Sequence, residues 1–173
     1  IDRRLAKTIG LGVMYGMGYK KLAVDLDIAP KEAKDLMQEF RDKVPFMQGM
    51  LEAVMNKANQ VGTIRTELGR KCRFDLNEPA WYDPGVFHKA MPLKQAQAEY
   101  GGNVKRAGTY KALNRLIQGT AADQTKKAMV DVYENLGIIP LIQVHDELNC
   151  SVKSDKEAKE IKNIMETCID LKV

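Results

Sequence analysis

Cysteine is scarce in this sequence. Cys72, Cys150 and Cys168 are the three in 173 residues, an odd number with no CxxC spacing. That pattern argues against a disulfide framework and against a zinc site, and it points to a reducing compartment. Long apolar runs are lacking as well. No stretch of about 18 hydrophobic residues occurs, so no membrane-spanning helix is expected, and no signal peptide is visible. Nor is there a strong excess of one charge: 27 Lys plus Arg against 23 Asp plus Glu give +4. So mild a basic balance permits a nucleic-acid partner without requiring one. The hydrophobic share of 45% is ordinary for a chain that buries a core, and the length suits one domain or two small subdomains. The chain opens on Ile1 inside a helical pattern and stops at Val173 just after another, so a piece of a longer protein is expected.

The most informative stretch runs from Leu141 to Val152, Leu-Ile-Gln-Val-His-Asp-Glu-Leu-Asn-Cys-Ser-Val. Two short β-type runs with almost no spacer predict a tight hairpin, with His145, Asp146 and Glu147 at its tip. Adjacent carboxylates repel each other, so such a pair calls for a cation or for an exposed site. Hard oxygen ligands of this kind suit Mg²⁺. A solvated turn accounts for the same three residues, since Asp and Glu are common in turns.

A second pattern lies at the start. Residues 1–14 read as a helix on which Arg3, Lys7, Leu11 and Tyr15 recur every four residues and drift slowly around one face. The stripe is cationic, then apolar, then aromatic. It matches a nucleoside triphosphate, with Arg3 forking onto phosphate oxygens, Lys7 supplying a point charge and Tyr15 stacking on a base. An amphipathic helix with two basic residues on its wet face is the plainer account of the same pattern.

Between these stretches, Gly16 and Gly18 end the first helix and residues 19–26 form a short one. Pro30 starts a helix that Pro45 ends. Residues 46–60 carry Met47, Met50, Leu51, Val54 and Met55 inward, a stripe that reads as core. Residues 63–75 predict a β-hairpin whose Arg65, Arg70, Lys71 and Arg73 suit either a duplex backbone or a solvated strand edge. Residues 77–108 read as an irregular loop, packed down by Trp81, Tyr82 and Phe87, with a short helix near 93–100 and a structural His88. Residues 110–136 form the longest helical pattern, interrupted by Gly119, which marks a bend or a close approach of another backbone. Asn114 and Gln118 lie one turn apart on it, suited to minor-groove acceptors or to bridging neighbouring helices. A last helix begins at Ser154-Asp155, with Ala158, Ile161, Ile164, Met165 and Cys168 inward. Helices laid on a hairpin give an α+β layer.

Three of these stretches, in order, resemble one family. Arg3-Arg4-Leu5-Ala6-Lys7 through Tyr15-Gly16 is similar to the fingers-helix motif of family A DNA polymerases, the DNA polymerase I type. Asn114-Arg115-Leu116-Ile117-Gln118-Gly119-Thr120-Ala121-Ala122-Asp123 resembles the helix before the family's last motif, and Gln143-Val144-His145-Asp146-Glu147-Leu148 resembles that motif itself. The hairpin around Leu68-Gly69-Arg70 also resembles the family.

The resemblance implies a right-hand polymerase piece: a mostly helical fingers subdomain over 1–108, then part of a palm over 109–173. It implies that Arg3 and Lys7 bind the triphosphate, that Leu11 lies beside its sugar and that Tyr15 closes over base and template. Asn114, Gln118 and His145 would contact the primer–template. Asp146, with Glu147 assisting, would hold Mg²⁺, of which the complete enzyme would use two ions for attack of a primer 3′-hydroxyl on a deoxynucleoside triphosphate. The family's other metal-binding Asp would precede Ile1, and its final palm strand would follow Val173. Leu11 stands where the family usually has Phe or Tyr, which resembles some bacteriophage enzymes, and Tyr110 stands where it often has Arg. The implied setting is the cytoplasm of a bacterial or phage-infected cell. A single-subunit RNA polymerase and a non-catalytic nucleic-acid-binding module are the rival readings.

Overall fold

The computed structural model describes residues 3–81 and 86–171, and the fold is α+β. Two compact units divide the chain. The first takes Ile1–Ile64 and Lys71–Arg115, the second Arg65–Arg70 and Leu116–Val173. The division falls inside the longest helix rather than at Gly108, and the tip of the basic hairpin goes with the second unit.

In the first unit, α1 (Arg3–Met14), α2 (Tyr19–Leu26) and α3 (Pro30–Lys43) surround one core. Ile9 and Val13 from α1, Leu22 and Ala23 from α2, and Ala33 and Met37 from α3 are buried together. Burying a side chain the size of Leu22, 1% exposed, contributes about 1.5–3 kcal/mol. At about 100° per residue, the buried positions of α1 lie across the helix from Arg3, Lys7, Leu11 and Tyr15. Packing α1 on α2 and α3 therefore leaves that stripe outward.

Helix α1 closes with a pair of hydrogen bonds characteristic of chain reversal: Met17 N–H donates to the Gly12 carbonyl at 2.8 Å and Gly16 N–H to the Val13 carbonyl at 3.1 Å. Gly16 adopts φ 73°. Pro30 and Pro45 each stand in the first turn of their helices, α3 and α4 (Pro45–Val61). The Met stripe of α4 is only partly buried. Ala58 is its one fully buried residue, and Met50 and Phe46 are 38% and 69% exposed. The apolar pattern predicted more burial than α4 finds among the described residues.

Strands β1 (Thr63–Arg65) and β2 (Lys71–Arg73) form the expected hairpin. Residues 77–108 depart from the expected irregular loop. There β3 (Leu76–Pro79) pairs with β4 (Met91–Pro92) on one side and with β5 (Val104–Arg106) on the other, all antiparallel, and α5 (Leu93–Tyr100) lies between β4 and β5 in sequence. The strands are too short, and too broken by proline, for their alternation to register. What holds them is partly Arg106. Its Nε donates to the Asn59 carbonyl at 3.1 Å and its Nη1 to the Phe74 carbonyl at 3.0 Å, so one guanidinium satisfies carbonyls at the ends of α4 and β2. His88 is structural, as expected, in edge contact with Trp81 and Tyr100. Phe87 is 92% exposed rather than packed down, and Tyr82 lies outside the described residues.

A turn of 3₁₀ helix, Thr109–Lys111, leads into α6 (Ala112–Leu136). In the second unit α6 continues, followed by β6 (Ile142–Val144), β7 (Glu147–Asn149) and α7 (Asp155–Thr167). Ser154 caps α7, its hydroxyl accepting from Glu157 N–H at 3.3 Å. Ile161 of α7 is buried, and α7 is tied to α6 by Gln124, whose Nε2 donates to the Met165 carbonyl at 3.1 Å. Burial pushes the Cys168 thiol up, with the nearby Asp131 charge acting in the same direction. Ala158, expected inward, is exposed.

A Cβ on residue 16 would sit 3.2 Å from the Tyr110 carbonyl oxygen, against backbone that does not yield. Gly16→Ala therefore carries both a left-handed backbone penalty and a clash. We expect it to lower unfolding stability by about 1–2 kcal/mol, read as an earlier urea midpoint at unchanged slope.

Candidate functional site

The hairpin of β6 and β7 pairs Ile142 with Asn149, Gln143 with Leu148 and Val144 with Glu147. Two residues, His145 and Asp146, form its tip, and Glu147 is already the first residue of β7. Of the tip residues His145 alone is at positive φ, 53°, and the two residues close the hairpin as a tight connection. The Gln143 side-chain amide donates to the His145 carbonyl and braces the turn. Alternation along β6 puts Ile142 and Val144 on one face and Gln143 on the other. The apolar face is not covered: Ile142 is 59% and Val144 47% exposed.

The hairpin and α6 border a common recess. The recess, of about 610 Å³, is lined by Gln118, Ala121, Ala122 and Thr125 from the helix and by Gln143, His145 and Asp146 from the hairpin. Three residues singled out in the sequence, Gln118, His145 and Asp146, thus share one opening. Glu147 is not among the residues that line it. Asn114 stands one helical turn before Gln118 on α6, half-buried. Gln143 and Thr125 were not singled out, though a signal existed for each: Gln143 is two residues before His145 on a strand, and Thr125 is seven after Gln118 on a helix.

What holds this turn of α6 is the connection between β1 and β2. Thr66 N–H donates to the Arg70 carbonyl at 3.0 Å, and Arg70 N–H returns a bond to the Thr66 hydroxyl at 3.0 Å. Arg70 Nε then meets Asp123 Oδ1 at 2.8 Å, and its Nη2 donates to the Gly119 carbonyl at 2.6 Å. Glu67 N–H reaches the Thr120 hydroxyl at 3.4 Å. Asp123 is 9% exposed in its side chain, and its Oδ2 is buried with no hydrogen-bond partner among the described residues. Of the four basic residues of the hairpin, Arg70 is therefore committed to the helix rather than offered to a duplex or to solvent.

In the first unit, Arg3 and Lys7 are exposed on α1 and make no salt bridge with any described residue, while Leu11 and Tyr15 are half-buried. Arg3, Lys7 and Leu11 share one face of α1, and Tyr15 follows in the turn after it. Among the described residues no group of three or more His, Cys, Asp or Glu is placed to hold a metal ion, and no helix is long and apolar enough to cross a membrane.

At Gly119 the close approach is made by side chains rather than by the other backbone expected. A Cβ there would lie 2.9 Å from Thr66 Cγ2, and Thr66 is pinned by its own hydrogen bonds and 7% exposed. In an open helix Gly→Ala gains about 1 kcal/mol. Here overpacking costs about 1–3 kcal/mol and prevails, so Gly119→Ala is expected to lower the melting temperature rather than raise it.

Comparison with known proteins follows the same lines. Residues 1–173 match the family model described as DNA polymerase family A. The chain is 34% identical over 207 residues to a DNA-directed DNA polymerase of Pseudomonas phage M6, covering 100% of this chain and 27% of that protein. It is 32% identical over 177 residues to the thermostable DNA polymerase I of Thermus filiformis, covering 99% of this chain and 19% of the relative. Among solved structures, the POL domain of Pol1 from M. smegmatis, in complex with DNA primer-template and dNTP, superposes with a TM-score of 0.68 at 30% identity, covering 96% of this chain and 26% of that one. The chain spans about a quarter or less of the length of these relatives.

Proposed function

The chain belongs to DNA polymerase family A, and on that premise we propose that it serves template-directed DNA synthesis, adding deoxynucleotides to a primer 3′-hydroxyl. The observation that carries the reading is the recess where Gln118, His145 and Asp146 converge. It offers a carboxylate beside an amide and an imidazole, groups suited to a primer end and its minor-groove acceptors. The M. smegmatis neighbour, solved with DNA primer-template and dNTP, supports the same partners here.

The roles proposed are those that the family resemblance implies. Arg3 and Lys7, exposed and one turn apart on α1, take the triphosphate: the guanidinium engages two oxygens at once and the ammonium acts as a point charge. These cations counter charge that builds on the leaving pyrophosphate. Leu11 sits beside the sugar and Tyr15 closes over the base. Asn114, Gln118 and His145 hold the primer–template.

For Mg²⁺ the fit is partial. A hard divalent ion wants several oxygen donors, with one or two carboxylates among them. The recess supplies one carboxylate, Asp146, beside the neutral amides of Gln118 and Gln143. These residues by themselves do not make a Mg²⁺ site. We propose that Asp146 is one of two carboxylates in the working enzyme, Glu147 an auxiliary ligand, and the second carboxylate a residue outside this chain. The paired ions, when bound, would stabilise the attacking and leaving oxygens.

Three experiments on the full-length polymerase test these assignments. Asp146→Ala should abolish nucleotide addition and leave primer–template binding nearly intact, with Glu147→Ala milder. Substantial extension by Asp146→Ala would remove Asp146 from the chemistry, and a purely nucleic-acid-binding module would tolerate the change. Lys7→Ala should impair nucleotide use, in KM, kcat or both, at unchanged DNA affinity. The reverse outcome would make the α1 stripe a DNA-binding face. Leu11→Tyr should alter the ratio of deoxy- to dideoxynucleotide incorporation, and an unchanged ratio would count against placing Leu11 at the sugar.

A further inference from the structure

We infer that Arg70 and Asp123 are positioning residues for the primer–template contact, acting through the rotation of α6 about its own axis. The inference rests on the reading of Gln118 given above. Its basis is that the two faces of one helical turn have different partners. At about 100° per residue, Gln118, Ala121, Ala122 and Thr125 fall within an arc of about 100°, and these four line the recess. Gly119, Thr120 and Asp123 fall on the far side of the same turn. Each of those three is held by the loop between β1 and β2: the Gly119 carbonyl and the Asp123 carboxylate by Arg70, and the Thr120 hydroxyl by Glu67 N–H.

Three attachments within one turn, all from one loop, fix how far the helix is rotated. The loop is itself fixed, since Thr66 and Arg70 bond to each other twice and Arg65 Nη1 donates to the Gly69 carbonyl at 2.9 Å. Gly119 lets the loop come this close, with Thr66 where a Cβ would clash. The lever is short but sufficient. A side chain reaches about 5–6 Å from the helix axis, so a rotation of about 10° moves its end by about 1 Å. A misplacement of about 1 Å at a reacting centre can cost up to about a hundredfold.

The geometry also makes the arginine specific. Arg70 meets the carboxylate through Nε and the carbonyl through Nη2, two directions that a single lysine ammonium does not reproduce. Arg70→Lys keeps the charge and loses the second attachment.

The test is a double-mutant cycle in the full-length polymerase, well below its melting temperature. It compares Arg70→Ala, Arg70→Lys, Asp123→Asn, Gln118→Ala and the Arg70→Ala/Gln118→Ala pair. The readouts are primer–template Kd by fluorescence anisotropy and the ratio of extension from matched and mismatched primer ends. We expect Arg70→Ala and Asp123→Asn to shift both readouts about tenfold in the same direction as Gln118→Ala, Arg70→Lys to fail to restore them, and the double variant to be no worse than Gln118→Ala. A purely structural pair would instead lower the melting temperature, leave the mismatch ratio at the wild-type value and add to Gln118→Ala. That result overturns the proposal. If Arg70→Ala does not fold, Asp123→Asn, which keeps the shape and removes the charge, decides by the same criteria. A damaging Gln118→Ala beside a silent Arg70 and Asp123 overturns the clasp alone. A silent Gln118→Ala overturns the primer–template reading, and the clasp with it.

Discussion

A carboxylate that is nine-tenths buried is costly to keep charged unless a cation stands at hydrogen-bond distance. Asp123 is such a group, and Arg70 is its cation. The arrangement of the second unit follows from satisfying that one charge. Arg70 must reach the helix, so the loop between β1 and β2 must fold down onto α6. To do so it must pass over a residue without a side chain, which is Gly119. Once the loop is down, the remaining face of that turn is left for the β6–β7 hairpin. The acidic tip therefore has a recess to open into because the opposite side of the helix is already occupied.

The first unit solves a different problem. Its core is built from small and medium side chains, Ile9, Val13, Leu22, Ala23, Ala33 and Met37, on three short helices, none of which would be stable alone at this length. Burying one side of α1 is what keeps it helical, and the same act presents Arg3, Lys7, Leu11 and Tyr15 on the other side. The outward stripe is thus a by-product of packing as well as a candidate for binding. Its cations make no salt bridge with described residues, which keeps them available to an anion.

How much of this was legible in the sequence depended on the length of the pattern. Helices α1, α2, α3 and α6 have enough residues for a 3.6-residue period to emerge, and capping glycines and prolines mark their ends, so their limits were readable to within a residue or two. The β6–β7 hairpin was legible because two apolar runs flank a polar tip. Strands β3, β4 and β5 were not, because runs of two to four residues hold no period and Pro79 and Pro92 argue against strands. The recess was half legible. His145 and Asp146 announce themselves by type and Gln118 by its motif, but Gln143 and Thr125 join only once strand and helix are laid together. The Arg70–Asp123 pair, 53 positions apart in sequence, leaves no local trace. Read locally, Arg70 was one more charge on a basic hairpin.

The backbone at His145 has an evolutionary consequence. At φ 53° the left-handed region admits glycine freely, asparagine and aspartate readily, and β-branched residues hardly at all. Substitution at this position therefore passes two independent filters, one for the turn and one for whatever the imidazole touches. A saturation library at residue 145 sorted for soluble expression would record the first, enriching Gly, Asn and Asp and depleting Val and Ile. The same library in the full-length protein, sorted for the primer extension proposed above, would record both. The ratio of the two enrichments at each residue type separates the contribution of the side chain to function from the geometry of the bend.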